Sequence, residues 1–215
     1  MVKKIIFIGF LVGILYGKAF SYELIGSVGY LQSKYKETQT NSSSPTISVD
    51  VYAPVLFDGF SVGMGLGYFE TNLGSSTALA QQFRDDLNVD ERDIHLALFP
   101  TYLGAKYEYF FNKNFSTFIS GKAGITIGDK RFYDGTISLV DDEGPYEISS
   151  NLEVWGNRIY GGTLGFSFYR NYLFSVSYDS AYIKSIYSMN KLGRFTNLTR
   201  IDTISVKFSY AFRSR

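Results

Sequence analysis

The chain has 215 residues, with 21 Lys and Arg against 20 Asp and Glu, one histidine and no cysteine. The missing cysteine excludes a disulfide framework and a lipid-modified cysteine anchor, and so even a charge balance offers nucleic acid no concentrated positive field. Tyr at 18, Phe at 19 and Gly at 21 against only 4 Pro favour strands, tight turns and bilayer interfaces over helices.

Lys3 and Lys4 precede an apolar run from Ile5 to Tyr16, followed by Gly17, Lys18, Ala19, Phe20 and Ser21. This is the pattern of a secretory signal peptide, with a run far below the ~20 residues of a membrane-spanning helix. Cleavage is expected after Ser21, with Ala19 as the alternative, which divides the chain into a signal peptide over 1–21 and one domain over 22–215. Loss of Lys3, Lys4 and Lys18 leaves 18 basic against 20 acidic residues, a net charge of −2. The remaining 215 − 21 = 194 residues suffice for one domain with a full core.

Beyond Ser21 the hydrophobic period is two residues, the signature of strands with different faces. Leu24, Gly26, Val28 and Tyr30 alternate weakly with Ile25, Ser27, Gly29 and Leu31, before a polar loop over 33–45. Ile47, Val49, Val51, Ala53 and Val55 alternate with Ser48, Asp50, Tyr52 and Pro54. Asp58 and Gly59 turn the chain into Phe60, Val62, Met64, Leu66 and Tyr68, opposed by Ser61, Gly63, Gly65 and Gly67. The pattern breaks over 70–92, where 77–87 is compatible with a helical turn or two. It resumes near Ile94 and runs to Phe110, with an irregularity expected at Pro100. After a turn at Asn112 to Asn114, Phe115 to Ile125 alternates strongly, and a long polar connection is expected over 129–150. Tyr160 to Phe168 and, after Arg170 and Asn171, Leu173 to Tyr182 alternate again, and a last loop covers 184–198. Ile204, Val206, Phe208, Tyr210 and Phe212 then oppose Ser205, Lys207, Ser209 and Ala211, followed by Arg213, Ser214 and Arg215.

These eight strands are joined by three short and four long connections in strict alternation, starting long. Aromatics gather at the short ones: Phe57 and Phe60, then Tyr109, Phe110, Phe111 and Phe115, then Phe168, Tyr169 and Tyr172, with Phe212 at the same end. A bilayer interface accounts for such a ring, whereas a soluble sandwich has no use for one. The fold class expected is all-β, an eight-stranded antiparallel up-and-down transmembrane barrel with both termini in the periplasm. The whole chain after Ser21 resembles the OmpA and OmpX type of outer-membrane β-barrel, on 102–109, 115–125, 157–169 and the closing Tyr210 and Phe212. The resemblance implies an outer-membrane location, insertion by the barrel assembly machinery and a monomer. It brings no functional motif.

If the small polar faces point inward, the lumen holds Asp50, Lys106, Glu108, Lys122, Asp179 and Lys207, three acids and three bases. Buried charges need partners, so a salt-bridged plug is expected rather than a conduit. His95 lies near the outer end of its strand, and lipid-modifying barrels resemble serine hydrolases with a rim histidine. Ala97 stands where one such type has its serine, so a solvated rim side chain is expected and not an enzyme. The carboxylates Asp85, Asp86, Asp90, Glu91 and Asp93, and Asp134, Asp141, Asp142 and Glu143, lack the spacing of a calcium loop, and no metal or cofactor is expected. The last long loop brings Lys184, Lys191, Arg194 and Arg200 without an acid between Asp179 and Asp202, a match for lipopolysaccharide phosphates. The function expected is a non-enzymatic surface barrel that contacts lipopolysaccharide, outer-membrane lipids or a host ligand. A small passive channel or a His95-dependent lipid-modifying enzyme are the alternatives.

Overall fold

The structure is a computed structural model that describes residues 22–35, 40–55, 58–75, 93–128, 131–141, 144–189 and 193–213. The expected signal peptide, Phe57, Lys191, the helical turn over 77–87 and the carboxylates Asp85, Asp86, Asp90, Glu91, Asp142 and Glu143 lie outside them, as do Ser214 and Arg215.

Nine strands follow one another: β1 (Glu23–Tyr35), β2 (Asn41–Pro54), β3 (Phe60–Ser75), β4 (Asp93–Phe110), β5 (Phe115–Gly128), β6 (Arg131–Asp141), β7 (Gly144–Phe168), β8 (Tyr172–Met189) and β9 (Gly193–Arg213). All pairings are antiparallel between chain neighbours except two: β5 also pairs with β7, and β9 pairs back to β1. The result is a closed ring of eight strands, β1-β2-β3-β4-β5-β7-β8-β9. Closure pairs the whole of the first strand with the last, from Glu23↔Arg213 to Tyr35↔Ile201, and so removes the open edges that lipid does not tolerate.

The ninth strand corrects the expectation of a polar connection over 129–150. Residues 131–141 and 144–154 form a β-hairpin, in which β6 pairs with the outer half of β7. The expected loop over 184–198 is likewise a hairpin, paired from Ile183↔Thr199 up to Met189↔Gly193. Together they make a four-stranded sheet, β6-β7-β8-β9, that continues one side of the barrel wall beyond its outer rim.

Pro100 does not disturb the register, which runs unchanged from Phe60↔Tyr107 to Asn72↔His95 and shifts only between Asn72 and Ser75, where Gly74 has φ +86°. A second shift, between Gly156 and Ile159 of β7, inserts one residue, so Val154 and Ile159 both point inward.

The short turns are fixed by specific contacts. Gly59 has φ +83°, and its carbonyl accepts from the Glu108 amide at 2.8 Å. The Asn112 side chain accepts from the amides of Asn114 and Phe115 at 2.8 and 3.0 Å. Tyr169 and Arg170 both have positive φ, 49° and 65°, the backbone of a two-residue hairpin turn that normally favours Asn and Gly. The Tyr169 amide donates to the Asn114 carbonyl at 2.7 Å and Arg170 Nε to the Lys113 carbonyl at 2.9 Å, which hold the unusual conformation in place.

Candidate functional site: lumen and outer rim

The outward positions read from the sequence are outward in the structure: Val28, Ile47, Leu66, Leu103, Ile119, Leu164, Val176 and Phe208 are all exposed. Along β4 the outward row from Phe99 to Tyr109 makes ten rises of about 3.4 Å, or about 26 Å of height at a tilt of about 40°. That matches the apolar band of a membrane barrel. At the turn end the aromatics form a contiguous chain. Phe111 lies 5.2 Å from Tyr109 and 5.4 Å from Phe115, and Phe115 lies 5.4 Å from Phe168. Farther round, Tyr172 lies 5.3 Å from Tyr210, which lies 4.7 Å from Phe212. Phe60 stands at the same level, half-buried beside the first turn.

All six interior charges of the sequence reading point into the lumen, and two more join them. Lys106, only 2% exposed, is paired with Glu23 and lies 3.5 Å from Glu108. Arg213 donates from Nε to Glu23 at 2.9 Å and from a terminal nitrogen to both Glu108 oxygens at 2.9 and 3.0 Å. Ser116 donates to Glu108 as well. Farther in, Lys122 pairs with Asp179 at 2.8 Å with its ammonium 4.8 Å over the Tyr102 ring, while the Tyr102 hydroxyl donates to Asp50 at 2.7 Å. Lys207 shares with Asp50 and Lys122 a cavity of about 50 Å³, lined in part by Ser and Thr. Four acids now face four bases. Arg213, which reads from the sequence as a tail, is instead the residue that links both ends of the chain to β4. The signal was present, because Glu23 continues the inward row of Ile25 and Ser27, and Arg213 that of Ser209 and Ala211.

The inward glycines make this packing possible. A Cβ on Gly65 would collide with the Asp50 carboxylate and the Tyr102 ring, and one on Gly161 with the Asp179 carboxylate.

The outer half of the lumen corrects the expectation of a polar interior throughout. Leu31, Tyr35, Phe69, Leu73, Ile94, Leu96, Leu98, Val154, Ile159, Ala181, Ile183, Tyr187 and Ile201 form one buried apolar cluster there. Leu73, Ile94, Leu96 and Leu98 are completely inaccessible.

At the outer rim His95 is exposed on the outward face of β4, opposite Asn72. Among the described residues no group of His, Cys, Asp and Glu is arranged to hold a metal ion. Lys184 and Arg200 face outward from β8 and β9, with the Lys184 ammonium 5.5 Å over the Trp155 ring. Arg194 stands farther out, 3.9 Å from Glu153. Arg200 donates to Asp202 at 2.6 Å and to the Tyr178 hydroxyl at 2.9 Å. Burial alone would raise the Asp202 carboxyl, but hydrogen bonds from Arg200 and Ser180 outweigh it and hold the group below the usual carboxylate range. Of the four cations read as one loop, Lys184, Arg194 and Arg200 therefore lie on hairpin strands at different heights. Arg158, unnoticed in the sequence because it sits at the β7 bulge, stands beside them, 4.5 Å over the Tyr182 ring.

A closed antiparallel barrel with a lipid-facing apolar belt, an aromatic girdle and a filled lumen is an outer-membrane β-barrel protein. No protein-family profile and no curated protein sequence matches the chain. Among solved structures it is similar to Ail, the attachment invasion locus protein of Yersinia pestis, in complex with the heparin analogue sucrose octasulfate, at 15% identity over 89% of this chain and 99% of that one, TM-score 0.45. It is also similar to Neisserial surface protein A, at 9% identity over 89% and 97%, TM-score 0.44, and to OprG from Pseudomonas aeruginosa, at 16% over 91% and 97%, TM-score 0.46. These are likenesses of fold.

Proposed function

We propose that the protein is a non-conducting, non-enzymatic outer-membrane barrel whose role is surface contact. It is exported by a signal peptide over 1–21, inserted by the barrel assembly machinery and monomeric. The observation that carries the reading is the pairing of an apolar outer lumen with a sheet that stands above it. A conduit needs a continuous polar path, and an apolar constriction excludes water and ions. The material a simpler barrel would put into loops is here a paired four-stranded sheet, which presents a fixed surface at little entropic cost on binding.

The partner we assign to this surface is lipopolysaccharide, contacted by Lys184, Lys191, Arg194 and Arg200. Cations at headgroup height bind phosphate by charge-assisted hydrogen bonds, and Lys184 and Arg194 stand outward on the projecting hairpin. A host ligand on the same sheet is compatible with this role. The test is lipopolysaccharide binding by the purified barrel: the triple variant K184Q, K191Q, R194Q should bind at least tenfold more weakly. Unchanged affinity would contradict the assignment.

A further inference from the structure

Just above the lipid belt, two sides of the barrel differ in charge. The outward faces of β1, β7, β8 and β9 carry Lys34, Arg158, Lys184, Arg194 and Arg200 against Glu153 and Asp202. At comparable height β3 and β4 carry Glu70, Asp93 and His95, with no Lys or Arg among their described outward residues.

The register arranges the basic side in rows. Leu164, Val176 and Val206 form an aliphatic row inside the belt, with Tyr178 and Ile204 above it. Tyr160, Ser180 and Asp202 follow, then Tyr182 opposite Arg200, then Trp155, Lys184 and Leu198. Tyr182 is held by Tyr160, hydroxyl to hydroxyl at 2.8 Å with ring centroids 5.7 Å apart. Arg158 stacks over one side of Tyr182, and Arg200 projects from the strand on the other side. Their backbones stand two strand spacings apart, about 10 Å, within reach of one anion for two long side chains. Arg200 spends two donors on Asp202 and Tyr178. Among the described residues Arg158 has no carboxylate partner.

We propose that Arg158 and Arg200, set on either side of Tyr182, form a binding site for the phosphate of a glycolipid in the outer leaflet. Guanidinium forks match phosphate oxygens in pairs. The tyrosines sit at the height where aromatic rings meet headgroups, and the aliphatic rows below continue straight down the path an acyl chain would follow. The site rests on the lipopolysaccharide reading above but is separable from it, because Arg158 is not one of the cations that reading invokes and the position lies lower, on the barrel wall itself. It also explains why arginines stand here beside aromatic rings while the opposite side carries carboxylates at this height.

Trp155, the only tryptophan in the chain, is one row above and reports on the site. The mature protein in detergent micelles is titrated with bis-phosphorylated lipid A, with the same lipid after dephosphorylation, with phosphatidylglycerol and with inorganic phosphate, following Trp155 emission. Saturable binding is expected with phosphorylated lipid A alone, weakened roughly tenfold by R158Q and by R200Q and largely retained in R158K. Arg158 is exposed, so R158Q should keep the heat-dependent gel mobility of the folded barrel. Wild-type affinity in both R158Q and R200Q, or binding of dephosphorylated lipid A as tight as that of the phosphorylated form, would overturn the proposal. Equally tight phosphatidylglycerol would replace the glycolipid by a generic anionic headgroup, and equally tight inorganic phosphate by a free anion; both contradict it. Weakening by K184Q and R194Q but not by R158Q and R200Q would remove this site and leave the broader lipopolysaccharide reading resting on the hairpin cations without Arg200. The reverse pattern would keep the site and remove the hairpin contacts.

Discussion

Toward the short turns the lumen is filled by Glu23, Lys106, Glu108, Arg213, Lys122, Asp179, Asp50 and Lys207, and toward the outer rim by Leu31, Phe69, Leu73, Ile94, Leu96, Leu98 and their neighbours. The same narrow tube is thus packed with two chemistries. The ionic half depends on pairing: each charge is worth keeping only while its partner is there, because an uncompensated buried charge costs more than the pair contributes. The apolar half depends on shape and on the exclusion of water. The difference suggests separate duties, with the ionic half tying β1, β4 and β9 together across the closure and the apolar half sealing the barrel.

Substitutions in each half separate the two kinds of packing. The largest effect is expected for Lys106→Met, which leaves Glu23 and Glu108 with Arg213 as their one cation and should cost ~3–5 kcal/mol, read as the urea midpoint of unfolding in micelles. Combining it with Glu23→Gln should cost less than the sum, since one orphaned charge is then removed. In the apolar half Leu96→Ala should cost about 2–5 kcal/mol through the cavity it opens. A loss there below about 1 kcal/mol would mean that the outer lumen is loosely packed. Arg213→Gln should cost about 1.5–3 kcal/mol, less than Lys106→Met because Arg213 is partly open to solvent. No loss from Arg213→Gln would return the residue to the status of a tail. The smallest effect is expected for His95→Ala, with unchanged stability and an unchanged membrane lipid profile by mass spectrometry; an altered profile would point to catalysis.

How much of this was legible in the sequence follows the same division. Strands whose two faces contrast, such as Phe115 to Ile125 or Ile204 to Phe212, declared both their extent and their orientation. Where both faces are largely apolar, as at Ile94, Leu96 and Leu98 against Ala97 and Phe99, alternation carries little contrast, and the outer lumen went unread. Over 131–150 the sequence carries no sustained alternation, so a hairpin whose strands are paired through their backbones reads as a loop. Glu23 and Arg213 were hidden by position: a charge beside an expected cleavage site and one after a terminal aromatic both look like ends. The basic side above the belt was half legible. Its lysines and arginines were visible as a charge run, but the stacking of Arg158 on Tyr182, whose strand partner is Arg200, depends on the one-residue bulge in β7, which no periodicity announces.

The claim on which most depends is that the apolar half closes the lumen. Purified barrel inserted into planar bilayers tests it most directly, with wild type compared with the double variant L96D, I183D. No unitary conductance is expected from wild type, and discrete openings from the double variant, in which two carboxylates let water into the constriction. Steady ion conductance from the wild-type protein would contradict it.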